Sequence, residues 1–301
     1  MDHVSWLENT RLERPPLVCA FRGWNDGGEA ATLAAKYMIE RWGGRAIATI
    51  EPEEFFDFQV SRPTVRLEDG ASRMIEWPSC EFVAATVEGR SVVVFVAPEP
   101  NVRWKTFTGA ILATAREMGS PLLVTLGAFL TDVPHSRAVP VVGSAEDPAA
   151  ATRLRLSRSQ YEGPTGIVGV LHDASNRSGL ASVSLWAAVP HYLPPAPNPK
   201  AALALVERTS LLLGVPVETG PLAEAAVAWE EGVSRLVSES DELGEYVERL
   251  EAAADEAERE RAGQGPVPGE LPLLEGVPSG ESIAAELERF LREHEEGKGG
   301  S

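Results

Sequence analysis

Residues 17–21 (LVCAF) form a short, wholly apolar run, and residues 22–28 that follow are polar and glycine-rich. Ala30, Leu33, Ala34, Tyr37, Met38 and Trp42 then recur at helical spacing, so this opening stretch predicts strand, loop and helix. Gly43-Gly44 ends the helix, and the apolar residues 46–50 predict a second strand that pairs in parallel with the first. Residues 64–67 and 73–77 flank Asp69-Gly70, a pair suited to the positive φ angles of a tight turn, and predict a β-hairpin. Residues 81–87 and 91–97 predict another strand pair, the second apolar enough to be buried on both faces. A helix over 104–118, strands over 122–126 and 139–142, a helix over 167–175 and a strand over 183–188 complete a mixed α/β pattern.

The pattern changes after the five prolines between positions 190 and 199. An apolar-rich helix is predicted over 200–213, with Gly214 as its stop. Leu222, Ala226, Trp229, Val233, Leu236, Ser240, Leu243, Val247, Leu250, Ala254 and Ala257 then alternate spacings of four and three. They predict one long helix over 222–260 with a narrow apolar seam. A Pro/Gly-rich linker over 263–280 and a short amphipathic helix over 283–294 follow. The division expected is an α/β core domain, 1–214, and a helical extension, 215–301, whose two helices pair as an appendage.

Charge sharpens this division. Through Gly214 there are 23 acidic and 20 basic residues, and after it 22 and 7, so most of the net charge of −18 belongs to the extension. The nearly neutral body carries no basic stripe for a phosphate backbone, and nucleic acid is not an expected partner. Two cysteines, Cys19 and Cys80, cannot make a disulfide framework, and no apolar run reaches the roughly 20 residues of a membrane span. A cytoplasmic protein without a membrane anchor is expected. The aromatics of residues 54–58 and Trp77 are expected in the core or at a subunit interface rather than in a ligand cage, and the exposed aromatics and hairpin of residues 55–77 predict self-association, most simply as a homotrimer.

No GxxxxGK[ST], GxGxxG, GxSxG, HExxH or CxxC motif is present, so neither a metal nor a cofactor is expected. Candidate chemistry lies in loops that leave strands. Arg22, Gly23 and Asn25 stand where a strand opens into a helix, an arrangement that favours an anion, with Asp26 read as the helix cap and Glu29 as its capping-box partner. Arg103 follows the buried strand of residues 91–97 and is expected to join Arg22 in one phosphate-like ligand site. Asp132, His135 and Arg137 place a carboxylate, an imidazole and a guanidinium within six residues, a polar cluster suited to acid/base work or merely to a solvated loop.

The segment 21–32 (FRGWNDGGEAAT), with 57–63 (DFQVSRP) and 75–78 (IEWP), resembles an actinobacterial member of the proteasome assembly chaperone family, over about residues 15–215. The resemblance implies a three-layer α/β/α domain similar to nucleoside phosphorylases, with phosphate-gripping loops that map onto Arg22, Gly23, Asn25 and Arg103. It also implies proteasome-related partners and an assembly or scaffold role, with a phosphorylase-like or nucleoside-binding activity as the alternative. Some relatives dock through a hydrophobic-Tyr-X terminus. This chain ends Lys298-Gly299-Gly300-Ser301 and is not expected to dock that way.

Overall fold

Residues 17–21 are all fully buried because their strand lies at the centre of a sheet covered on both faces. The structure is a computed structural model that describes residues 3–8, 12–68, 72–145, 151, 156, 159, 161–193 and 195–263. Among these, the strands are β1 (Val4–Trp6), β2 (Leu17–Arg22), β3 (Arg45–Ile50), β4 (Thr64–Glu68), β5 (Ser72–Glu76), β6 (Glu81–Val87), β7 (Arg90–Pro98), β8 (Leu123–Thr131), β9 (Val141–Ala145) and β10 (Ser182–Pro190). The helices are α1 (Ala30–Arg41), α2 (Trp104–Glu117), α3 (Ile167–Arg177), α4 (Pro199–Leu213), α5 (Gly220–Ser238) and α6 (Asp241–Gly263).

The main sheet runs β1-β3-β6-β7-β2-β8-β10-β9, with β7, β2, β8 and β10 parallel and the outer strands antiparallel. Alternation along β2 sends Val18 and Ala20 into a core shared with α1 and α4. Leu17, Cys19 and Phe21 point the other way, into a core shared with α2 and α3. This is the expected three-layer α/β/α fold with a mixed sheet. Phe55 and Phe107 meet edge to face at 5.1 Å in the second core, so Phe55 and its neighbour Phe56 are interior residues rather than interface residues.

Three sequence expectations are corrected. First, β2 and β3 run in the same direction but do not pair, because the antiparallel unit β6–β7 lies between them. Second, the helix expected over 222–260 is two helices, broken at Glu239-Ser240. Ser238 Oγ donates to the Arg235 carbonyl (2.7 Å) at the end of α5, while Ser240 Oγ accepts from Leu243 N–H (3.4 Å) and Asp241 and Glu242 fill the first turn of α6. These local caps turn the chain back so that Val247 packs against Val233 and Val237. Third, packing does not change at residue 214. Leu222 belongs to the core of the body and α5 lies along α4, so the body continues through α5. The Asp69-Gly70 turn, the linker over 263–280 beyond Gly263 and the helix over 283–294 lie outside the described residues.

Candidate functional site

All four parallel strands deliver their carboxyl ends to one edge of the sheet, where open α/β folds place ligands. Two groups of residues gather there, one at β2 and β7 and the other at β8 and β10.

At β2, Gly23 takes φ +145°, and a Cβ there would meet Glu99 Cβ at 3.1 Å; Gly28 takes φ +58° with Asn198 Cβ equally close at 3.0 Å. Both glycines are needed for conformation and for close approach. Asp26 caps α1, as expected of a cap, but through a 3-10 turn (Gly27–Glu29): its Oδ1 accepts from Ala31 N–H (2.7 Å) and Thr32 N–H (3.2 Å), and its Oδ2 from the Thr32 hydroxyl (2.5 Å). Burial raises its carboxyl above the usual range, against the pull of those hydrogen bonds. Glu29 enters α1 in the left-handed region at φ 50°, and its N–H donates to the Asp26 carbonyl (3.0 Å).

Asn25 is buried, and its Nδ2 donates to Glu99 Oε1 (3.0 Å), which also accepts Ile167 N–H (2.8 Å) at the start of α3. A carboxylate of the chain thus occupies the positive helix end that an anion would seek. Glu99 was not singled out in the sequence, although its position directly after a buried strand is the signal that would have found it. Arg103 is directed elsewhere: its guanidinium pairs with Glu54 and lies 5.6 Å from the Phe55 ring centroid. His3 first, and then Arg103, hold the exposed Glu54 carboxyl below its ordinary range. Arg22 ends β2 beside Pro98 with its side chain exposed. Of the expected anion set, Gly23 and Asn25 therefore meet at Glu99, Asp26 serves α1, and Arg103 meets Glu54.

The second group holds Asp132, His135 and Arg137, each engaged by the C-terminal helices through partners of its own. Tyr246 of α6 donates to Asp132 Oδ1 (2.5 Å), which also pairs with His191 Nδ1 (2.9 Å). His135 is buried, with Nδ1 on the Tyr192 hydroxyl (2.8 Å) and Nε2 on the Ser234 hydroxyl of α5 (3.0 Å). Burial lowers its pKa. Lys200 donates to the His135 carbonyl (2.7 Å) and to Glu230 of α5 (2.5 Å). Arg137 grips Asp255 of α6 with two N–H groups (2.6 and 3.0 Å) and lies 3.4 Å from Glu251, while Ser136 donates to Glu251. Asp255 in turn raises the Arg137 pKa and is itself held low by Arg137. Every member of the expected polar cluster is thus a contact for α5 or α6. Among the described residues no group of three or more His, Cys, Asp or Glu is placed to hold a metal ion. No described helix is long and apolar enough to cross a membrane.

A family model described as the PAC2 family matches residues 20–237, from the end of β2 nearly to the end of α5. The chain belongs to the PAC2 family. The resemblance read from the Arg22–Glu29 turn is borne out by this match. A PAC2 family protein from Streptomyces avermitilis is 45% identical, covers 77% of this chain over 99% of its own, and superposes with a TM-score of 0.71. A proteasome-assembly chaperone homologue from Mycobacterium tuberculosis is 42% identical, with coverage of 77% and 99% and a TM-score of 0.70. An archaeal proteasome activator from Pyrococcus furiosus shares the PAC2 fold at 16% identity, with coverage of 78% and 99% and a TM-score of 0.64. Among curated proteins no match is found.

Proposed function

We propose that this PAC2 protein is a cytoplasmic, homo-oligomeric assembly or scaffold factor, a trimer built through the β4–β5 hairpin, whose partners are proteasome-related proteins. One observation carries the reading. The hairpin is a two-stranded ribbon outside the main sheet, with Val65, Leu67 and Ile75 on one face, all exposed, and with Met74 and Trp77 exposed beside them. Such a ribbon is marginal alone in water, and an apolar face of this kind marks a surface that meets another protein. The choice of partner is supported by the Mycobacterium tuberculosis relative, a proteasome-assembly chaperone homologue that aligns over 99% of its length. Light scattering coupled to size exclusion tests the reading: a trimer mass is expected, and a monomer at micromolar protein would defeat it.

The alternative, a phosphorylase-like enzyme or a nucleoside- or phosphate-binding protein using the edge at β2 and β7, is less well supported. Two of the donors it needs are engaged by the chain's own carboxylates, Asn25 by Glu99 and Arg103 by Glu54. Thermal-shift titration with phosphate and nucleosides is expected to leave the melting temperature unchanged, whereas a dose-dependent rise would restore this alternative.

A further inference from the structure

The turn after β2 fixes its backbone and presents one large side chain to solvent. Asp26 N–H donates to the Gly23 carbonyl (3.1 Å) and Ala128 N–H to the Asn25 carbonyl (2.9 Å), while the side chains of Asn25 and Asp26 are buried. Trp24, between Gly23 and Asn25, is 53% exposed. The neighbouring strands in the order β7-β2-β8 add exposed apolar residues on either side. Val102 follows β7, its N–H on the Phe55 carbonyl (3.2 Å), and Leu130 lies near the end of β8, its Cδ2 3.5 Å from where a Cβ on Gly27 would stand. Val102, Trp24 and Leu130 thus make an apolar row along the carboxyl edge, across strands about 4.8 Å apart. A tryptophan held on a fixed backbone has little freedom left to lose on binding, which suits it to anchor an interface.

The hairpin leaves from the same edge. Phe58 stacks edge to face on Trp77 at 4.8 Å, and Asn101 Oδ1 accepts from the Asp57 N–H (2.8 Å) and the Ser61 hydroxyl (3.1 Å), which ties the segment before β4 to the loop after β7. Within one chain, both the apolar face of the hairpin and the row remain exposed, so neither covers the other. A closed ring of three repeats one contact, and that contact joins two different surfaces of each copy. The hairpin supplies one such surface and the row another of matching character. Charge agrees with this. Arg22, just before the turn, and Lys105, just after Val102, are exposed and without an ion pair among the described residues. In the hairpin, Arg66 and Glu76 pair with each other, which leaves Glu68 and Asp69 against Arg73.

We propose that the row of Val102, Trp24 and Leu130 receives the β4–β5 hairpin of a second copy of this chain, so that the trimer closes head to tail. This rests on the hairpin-mediated trimer proposed above and adds the surface that the hairpin meets. Val65, Leu67 and Ile75 of one copy cover Trp24 of the next, and the acidic end of the hairpin meets Arg22 and Lys105. The turn that an anion-binding reading would use is then an anchor for self-recognition.

Light scattering on full-length variants tests the pairing. Trp24→Glu and Ile75→Asp are each expected to reduce the mass to one third of the wild-type value with an unchanged far-ultraviolet circular dichroism, since both side chains are exposed. Mixed in equal amounts, the two variants are expected to form a species of two thirds of the wild-type mass, because the first keeps an intact hairpin and the second an intact row, and one contact is restored. A mixture that stays at one third overturns the head-to-tail pairing. Persistence of the trimer in Trp24→Glu, with dispersal in Ile75→Asp, overturns the row and leaves the hairpin trimer standing. A monomeric wild type, or an Ile75→Asp chain that stays trimeric, removes the hairpin trimer itself. Leu130→Glu, on a neighbouring strand, takes the place of Trp24→Glu in both measurements should that chain unfold.

Discussion

Burying an imidazole removes the water that would stabilise its charge, and His172 shows the result. It is half-buried between the hydroxyls of Thr125 (2.7 Å) and Ser182 (2.8 Å), and loss of solvent around the ring lowers its pKa to about 4. Because the folded value lies below the unfolded one, the unfolded chain binds the extra proton first as pH falls. The stability held by neutral His172 is fully present above pH ~6.5 and is lost between about 6.5 and 4, an amount on the order of 3 kcal/mol. Urea titrations across this window are expected to show the loss, and His172→Gln, which does not titrate, is expected to flatten it. Asp26 and Glu99 are carboxylates that serve helix starts rather than ligands. Asp26→Ala is expected to cost about 2 kcal/mol, since it strips three hydrogen bonds at a buried site, and the part-buried Glu99→Ala about 1 kcal/mol. Equal costs in urea unfolding would contradict this ranking.

At the scale of elements, the hairpin and the helix pair show how a two- or fourfold rhythm leaves the partner open. In the hairpin Val65 stands opposite Ile75, and Leu67 opposite Arg73, so one face of β4–β5 is largely apolar; the other carries Arg66 paired with Glu76 at 2.8 Å. Ile75→Asp is expected to disperse the oligomer while leaving the far-ultraviolet circular dichroism unchanged, because Ile75 is exposed and outside both main cores; an intact assembly would move the interface elsewhere. In the helix pair, Asp255 and Arg259 stand four residues apart on α6, the spacing of an intrahelical pair, yet Arg137 takes the Asp255 carboxylate with two N–H groups. An intrahelical pair was legible and a partner 118 residues away was not.

For the whole molecule, the question is where the body ends. Truncation after Gly214 removes Leu222 and Ala226 from the face of α4 and is expected to lower stability by about 2–5 kcal/mol, on the scale of emptying a large apolar core site. Truncation after Ser238 removes residues 239–301, α6 among them, while keeping α5, and is expected to leave the thermal midpoint of the body within a few degrees of the full chain. Calorimetry on the two truncated chains checks both. A smaller loss from the first cut than from the second would return the boundary to residue 214.

The layer order was legible because a strand covered on both faces must be continuously apolar, as residues 17–21 and 92–95 are, and because an amphipathic helix must repeat near every 3.6 residues, as residues 30–42 do. The Arg22–Glu29 turn was legible as well, since Gly23, Gly28 and Asp26 are demanded locally, by positive φ and by unpaired N–H groups. Contacts between distant segments were not. The parallel pairing of β2 with β7 and β8 rather than with β3, the closure of the α3 end by Glu99, and the engagement of Asp132, His135 and Arg137 by α5 and α6 all join residues far apart in the chain. Periodicity states that a face must be covered and a charge met; which segment does so depends on the relative geometry of whole elements, and only the tertiary structure decides it.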